Sequence, residues 1–200
     1  GALDLFPKAV YFARLMEADG IAHIHAHFAS HPAAAAFVIH RLTGIPYSFT
    51  GHGSDIHRDR HMMREKVEEA AFVVTISNYN RDIIVNECHG QMHDKVLVIH
   101  CGVDTQLFQP RSAPTPYEQG KGPFALLCIG TLHEVKGQTY LVDACRRLKE
   151  QGIDFVCHFA GDGPDLDKLQ KQAAQAGLTA AMRFHGRLQR EAIVKLLHEA

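Results

Sequence analysis

Apolar residues along this chain follow two rhythms. Short runs at 22–28, 47–50, 72–76, 96–101, 124–129, 155–160 and 182–185 are nearly continuous in apolar character and predict strands. Between them, at 32–42, 60–70, 79–88, 137–151, 164–176 and 191–199, longer stretches predict helices. In the stretch 137–151, Leu141, Ala144, Cys145 and Leu148 form one stripe, and Gly152 is placed as a stop. The next helix is expected to open at Pro164, with Asp165 and Asp167 in its first turn, and to end before Gly177. Ser77 directly follows a strand and suits an N-cap for the helix after it.

Repeated strand–helix–strand order implies α/β units with parallel sheets, and continuous apolar strands imply a sheet covered on both faces, that is, doubly wound. One segment breaks the rhythm. Residues 109–123 carry Pro110, Pro114, Pro116, Gly120, Gly122 and Pro123, a composition that reads as a linker. Four strands precede it and three follow, so two half-domains are expected, residues 1–108 and 124–200.

Charge narrows the partners. Lysine plus arginine number 21 against 22 acidic residues, a net charge of -1 without the basic surplus that nucleic acid demands. The longest wholly apolar run, 33–39, is far short of a membrane span. Five cysteines, Cys88, Cys101, Cys128, Cys145 and Cys157, lack CxxC spacing and read as reduced thiols of a cytoplasmic protein. Among fifteen histidines, His23, His25 and His27 alternate along one strand and share a face. That pattern suits imidazoles facing a crevice better than a metal site.

In open parallel sheets, ligands bind beyond the carboxyl ends of the strands. The first such exit is Thr50-Gly51-His52-Gly53-Ser54-Asp55-Ile56, where two glycines let the backbone turn sharply around His52. An imidazole there suits a donor or general base, and a loop histidine without a role fits equally. The second exit is Gly130-Thr131-Leu132-His133-Glu134-Val135-Lys136-Gly137, where a helix start and a lysine favour phosphate; a merely solvated lysine is the plainer reading. The third, Gly161-Asp162-Gly163-Pro164, also leads from strand to helix, and tight-turn chemistry explains it as well.

In order along the chain, His25-Ala26-His27-Phe28-Ala29, Gly44-Ile45-Pro46, the His52 loop, and Ile99-His100-Cys101-Gly102-Val103-Asp104 resemble one family. So do Gly130-Thr131-Leu132 with Lys136-Gly137, Gly161-Asp162-Gly163-Pro164, and Phe184-His185-Gly186. The chain is similar to retaining GT-B glycosyltransferases of family 4, or group 1, most of all to bacterial enzymes of exopolysaccharide synthesis. The resemblance implies two Rossmann-like domains and sugar transfer from a UDP- or GDP-linked donor to a glycan or lipid-linked glycan. It implies retention at the anomeric carbon, without a metal or separate cofactor. His52 is then the catalytic candidate, with His27 and Ser77 on the acceptor side of an inter-domain cleft. Gly130, Thr131, Lys136, Gly161, Asp162 and Gly163 are the donor candidates, Lys136 neutralising the leaving diphosphate.

Two departures follow from the resemblance. Many members carry arginine where Thr131 stands, so one charge of a cationic pair is missing. The family's Glu-x7-Glu motif is expected beyond Ala200; Glu191 and Glu199 have the spacing but share one helix and read as a coincidence. The chain is thus expected to hold the middle of an enzyme and to be inactive by itself. A sugar-nucleotide epimerase is the alternative, with Asp55 as the strand-exit carboxylate it would need; a non-catalytic binding member is another. Arg58, Arg60, Met62, Met63 and Arg64 suggest peripheral contact with the inner membrane, and the acidic residues that follow at once suggest a solvated surface instead.

Overall fold

The structure, a computed structural model, describes residues 2–58, 60–110 and 122–199, without the side chains of residues 2, 3 and 199. The chain divides into two compact units, Gly1–Gly102 and Val103–Ala200.

The first unit begins with α1 (Ala2–Ala18), followed by β1 (Ile24–His27), α2 (His31–Thr43) and β2 (Tyr47–Gly51). A one-turn helix, α3 (Ser54–His57), and α4 (Met63–Glu69) lead to β3 (Phe72–Thr75). Then come α5 (Asn78–Glu87), a 3-10 turn at His93–Lys95, and β4 (Val96–Val98). The strands are parallel and lie in chain order, β1-β2-β3-β4. Their register sets Ala26, Phe49, Val73 and Val96 side by side. All four are buried, with Ile56, Met63, Val67 and Ile84 in the same core. Full burial of a residue such as Phe49 contributes roughly 1.5–3 kcal/mol. On the far side of α2, Ile39 packs with Ala9 and Ala13 of α1, where small side chains let two helices approach closely.

Chain-order strands with right-handed crossovers place their connecting helices on a single face. In this chain the helices that follow β1, β2 and β3 pack on one face of the sheet. Its second face carries His25, Ser48 and Phe72 in one row and His27, Thr50, Val74 and Leu97 in the next. Leu97 is 44% exposed and Phe72 36%. Ser48 is buried there because His23 and His25 close over it, with ring nitrogens 2.8 and 2.7 Å from its hydroxyl.

The second unit contains β5 (Phe124–Ile129), a 3-10 turn at Glu134–Lys136, α6 (Gln138–Glu150) and β6 (Phe155–Ala160). It continues with α7 (Leu166–Gln175), β7 (Met182–Phe184) and α8 (Arg190–Glu199). Its three strands are parallel in the order β5-β6-β7. Leu132, Val142, Cys145, Cys157, Phe159, Leu169 and Leu178 build a separate core.

Residues 103–110 group with this second unit, six residues ahead of the expected boundary. Phe108, Gln109 and Pro110 lie against Val194, Leu197 and His198 of α8, and the His198 ring bonds the Gln109 carbonyl at 3.2 Å. Most of the expected linker, 111–121, lies outside the described residues. Pro164 and Asp165 precede α7 instead of opening it, because Asp165 N donates to Leu132 O (3.1 Å) and belongs to the turn before the helix. Cys101, expected in a strand, is exposed beyond the end of β4.

Candidate active site

In the first unit the site grows from the ends of β1 and β2. Gly51 ends β2 where a Cβ would fall 2.9 Å from Ile56 Cδ1, so a side chain there would have to displace the buried Ile56 of α3. The buried carboxylate of Asp55 then gathers the loop. It accepts from Ala29 N at 2.8 Å, Gly53 N at 2.8 Å, and His52 N at 3.2 Å to either oxygen. Desolvation by burial raises its pKa, yet the N–H groups of Ala29, Gly53 and His52 outweigh it and hold the carboxyl below its ordinary value. Asp55 is thus a fixed anion with both oxygens engaged. This removes the acid/base carboxylate that the epimerase alternative placed at this exit.

The other wall of the loop is Asn80, also buried. Its amide donates to the His52 carbonyl at 2.8 Å, and its oxygen lies 3.0 Å from His57 Nε2. Ser77 is the N-cap of α5, its hydroxyl accepting from Asn80 N at 3.2 Å. Ser77 therefore reaches the site through Asn80.

His52 is held by its backbone and left free to act with its ring. The ring stacks on His27 (centroids 5.7 Å, 18° between planes), and Phe28 tilts over it at 5.0 Å. His27 Nδ1 and His52 Nε2 stand 3.5 Å apart. His25 sits one step back, bonded to Ser48 and Thr50 hydroxyls; desolvation, then His27, then His23, lower its pKa. Among the described residues, no group of three or more His, Cys, Asp or Glu side chains is arranged to hold a metal ion.

Phe28 is the unexpected member. Its φ is +79°, a left-handed conformation that costs a bulky residue about 1–3 kcal/mol. Several bonds enforce it. Phe28 N donates to Thr50 O at 2.8 Å, and Phe28 O accepts from Ala33 N at 3.2 Å. The next peptide is clamped at both ends, Ala29 N by Asp55 and Ala29 O by the ammonium of Lys66, whose side chain is buried. Sequence reasoning missed Phe28, Lys66 and Asn80 as site-builders.

In the second unit the two strand-exit loops are tied together by backbone. Gly130 N donates to Ala160 O and Leu132 N to Asp162 O, both at 3.0 Å. A Cβ on Gly161 would lie 1.9 Å from Gly130 O, and one on Gly163 2.3 Å from Leu132 O. Both glycines thus answer a packing need whatever they bind. Asp162 is exposed, one oxygen accepting from Gly163 N at 2.8 Å. Buried Gln138, another residue missed in the sequence, donates to the Thr131 carbonyl at 2.9 Å and fixes the first loop. Thr131 and Lys136 are exposed on it. Lys136 ends the 3-10 turn, one residue before Gly137 (φ +70°), the N-cap of α6. Its ammonium makes no ion pair among the described residues.

The membrane reading loses one anchor. Met63 is 2% exposed in the core, and Arg60 and Arg64 pair with Glu87 and Glu68. Among the described residues, no helix is long and apolar enough to cross a membrane.

Residues 2–107 match the sequence model described as Glycosyltransferase Family 4, and residues 113–200 that described as Glycosyl transferases group 1. The 2-deoxystreptamine glucosyltransferase of Streptomyces kanamyceticus is 28% identical over 175 residues, covering 76% of this chain and 44% of that protein. Glycogen synthase of Mycobacterium tuberculosis is 28% identical over 192 residues, covering 90% and 44%. The chain spans less than half the length of the curated relatives it matches.

Among solved structures, the apo lipopolysaccharide outer core galactosyltransferase WaaB superposes with a TM-score of 0.69 at 18% identity, covering 94% of this chain and 50% of that one. The pneumococcal O-GlcNAc transferase GtfA, in complex with UDP and GlcNAc, gives 0.61 at 12%, covering 91% and 38%. The UDP-GlcNAc 2-epimerase of Neisseria meningitidis, bound to UDP-GlcNAc, gives 0.54 at 11%, covering 100% and 58%. At such identities the likeness establishes the fold, the GT-B type with two Rossmann-like units.

Proposed function

The chain belongs to Glycosyltransferase Family 4, and from that premise we propose that its protein moves a sugar from a UDP- or GDP-sugar to a glycan or lipid-linked glycan. In this reading the anomeric configuration is retained, and no metal or separate cofactor takes part. The donor is a substrate held by the second unit, and the reaction runs on the cytoplasmic side.

One observation carries the reading. The loop that ends in Lys136 is pinned by Gln138 and by the Gly161–Gly163 loop, so an exposed ammonium stands on a rigid frame beside the start of α6. A fixed positive charge there meets a diphosphate without reorganising, and it does most where the leaving group gains charge. In the first unit, His52 and His27 present imidazoles at strand ends, suited to bond the reacting sugar or its acceptor. Peripheral membrane contact draws less support, since it would rest on Arg58 and Met62 beside residues already buried or paired.

Calorimetry with UDP and GDP on wild type and Lys136→Ala tests the donor assignment. Lys136→Ala is expected to weaken binding about tenfold or more, and in a turning-over enzyme to cost ~2–4 kcal/mol of transition-state stabilisation. Unchanged affinity removes the phosphate role of this loop. The epimerase reading has fold likeness on its side, but Asp55 is closed off by three backbone donors.

A further inference from the structure

We infer that the hollow of about 370 Å³ lined by Phe28, Ser30, His31, Ser54, Asp55 and Arg58 is an acceptor subsite for a saccharide bearing an anionic group. The inference rests on the glycosyltransferase reading and narrows its acceptor. The anion is a carboxylate, as in a uronic acid, or a phosphate on the sugar; both offer the same oxygen geometry to a guanidinium.

The hollow adjoins His52 through Phe28, whose ring is 48% exposed and tilts over the His52 imidazole. An exposed aromatic face held by a strained backbone beside a reacting group is what an apolar sugar face can stack on. The buried bonds of Ala29 to Asp55 and Lys66 hold the backbone that carries that ring, so the platform's base is preformed.

The hollow's polar chemistry is hydroxyl and cation. Ser30 caps α2 without using its side chain in a capping bond, and Ser54 is exposed. Arg58 makes no ion pair or side-chain hydrogen bond among the described residues, and it ends α3 facing the hollow. His31 stands opposite on the first turn of α2, with Lys8 and Asp4 of α1 on its other side. The one anion of the lining is Asp55, and its oxygens are turned into the backbone donors of Ala29, His52 and Gly53. A guanidinium free to make a bidentate bond therefore decides the charge of the guest.

The test is an NMR titration of this chain with glucuronic acid, glucose 1-phosphate, glucose and inorganic phosphate, reading the Phe28, Ser54 and Arg58 amides. One anionic sugar, or both, is expected to bind at least tenfold more tightly than glucose; the tighter of the two identifies the natural anion. Arg58→Gln should erase that preference, and Arg58→Lys should keep part of it. Phe28→Gly, which relieves the positive φ and so keeps the fold, should weaken all sugars alike. UDP binding, followed in the same samples, should be unaltered in every variant. The inference is overturned if glucose binds as well as the anionic sugars, if no sugar binds, or if Arg58→Gln leaves the preference intact. Inorganic phosphate matching glucose 1-phosphate would also overturn it, leaving an anion site without a sugar. Unchanged UDP affinity in Lys136→Ala would overturn the donor assignment alone, so the two readings fail separately.

Discussion

Asp55 gathers N–H groups from three residues on two loops, and its removal leaves buried donors without an acceptor. Asp55→Ala is therefore expected to destabilise by about 2–3 kcal/mol in urea unfolding at pH 7, and Asp55→Asn by less, since an amide keeps one acceptor oxygen. The pH dependence has a defined sign. A carboxyl held below its ordinary value in the folded state adds stability above the unfolded pKa of about 4, and that stability is lost as pH falls through the folded value. The gap between wild type and Asp55→Asn should thus be constant from pH 7 to about 5 and shrink below about 4. A gap that widens with acid would contradict the assignment. At this scale the sequence was partly legible. The structure places His52 in the loop after β2 and Lys136 just before α6, the positions that local pattern gave them. Asn80 and Lys66 had no such pattern, because the first looks like any first-turn residue and the second sits in a run of charge. Only the fold brings them to His52 and Ala29.

At the scale of elements, the second unit rests on two loops that touch backbone to backbone. Gly161→Ala and Gly163→Ala would each drive a methyl into a carbonyl oxygen, 1.9 and 2.3 Å away, with no side chain able to yield. Each is expected to cost ~3 kcal/mol or more and to abolish UDP binding by shifting the Thr131 and Lys136 loop. Gly152→Ala is the control: its φ is +71° but its surroundings are open, so ~1 kcal/mol and unaltered UDP binding are expected. Effects at Gly161 and Gly163 no larger than at Gly152 would show that these backbone contacts do not govern them. Thr131 is exposed, so Thr131→Arg has room; it should tighten UDP binding, and more so with Lys136 present, as calorimetry on the double variant would show. Strand positions were legible where paired length and apolar length coincide, as in β5 and β6. They were overdrawn where pairing stops first. β4 ends at Val98 although apolar residues continue, and β1 ends at His27 because Phe28 leaves the extended region. The short α3 was hidden because four residues carry no periodicity.

Over the whole molecule, two compact units lie on either side of the break in the rhythm, and residues 103–110 group with the second of them. Phe108 and Pro110 look like linker in sequence; their contact with α8, some ninety residues on, is not a local property. Each unit owns its core: the first cluster runs from Ala26 to Val96 and the second from Leu132 to Met182, with no shared member. Separate cores predict separable stability. Phe49→Ala and Phe159→Ala each empty a fully buried aromatic site, at an expected ~3–5 kcal/mol. Hydrogen exchange on the intact chain should then lose protection in β1 to β4 for Phe49→Ala, with β5 to β7 little affected. Phe159→Ala should give the reverse. On the proposed donor assignment UDP gives a second handle, since a ligand that binds only the folded second unit stabilises that unit by mass action. It should raise protection in β5 to β7 and offset part of the Phe159→Ala loss, while doing nothing for Phe49→Ala in the first sheet. If either substitution lowers protection across both sheets alike, the chain unfolds as one cooperative body and the independence of the cores is refuted.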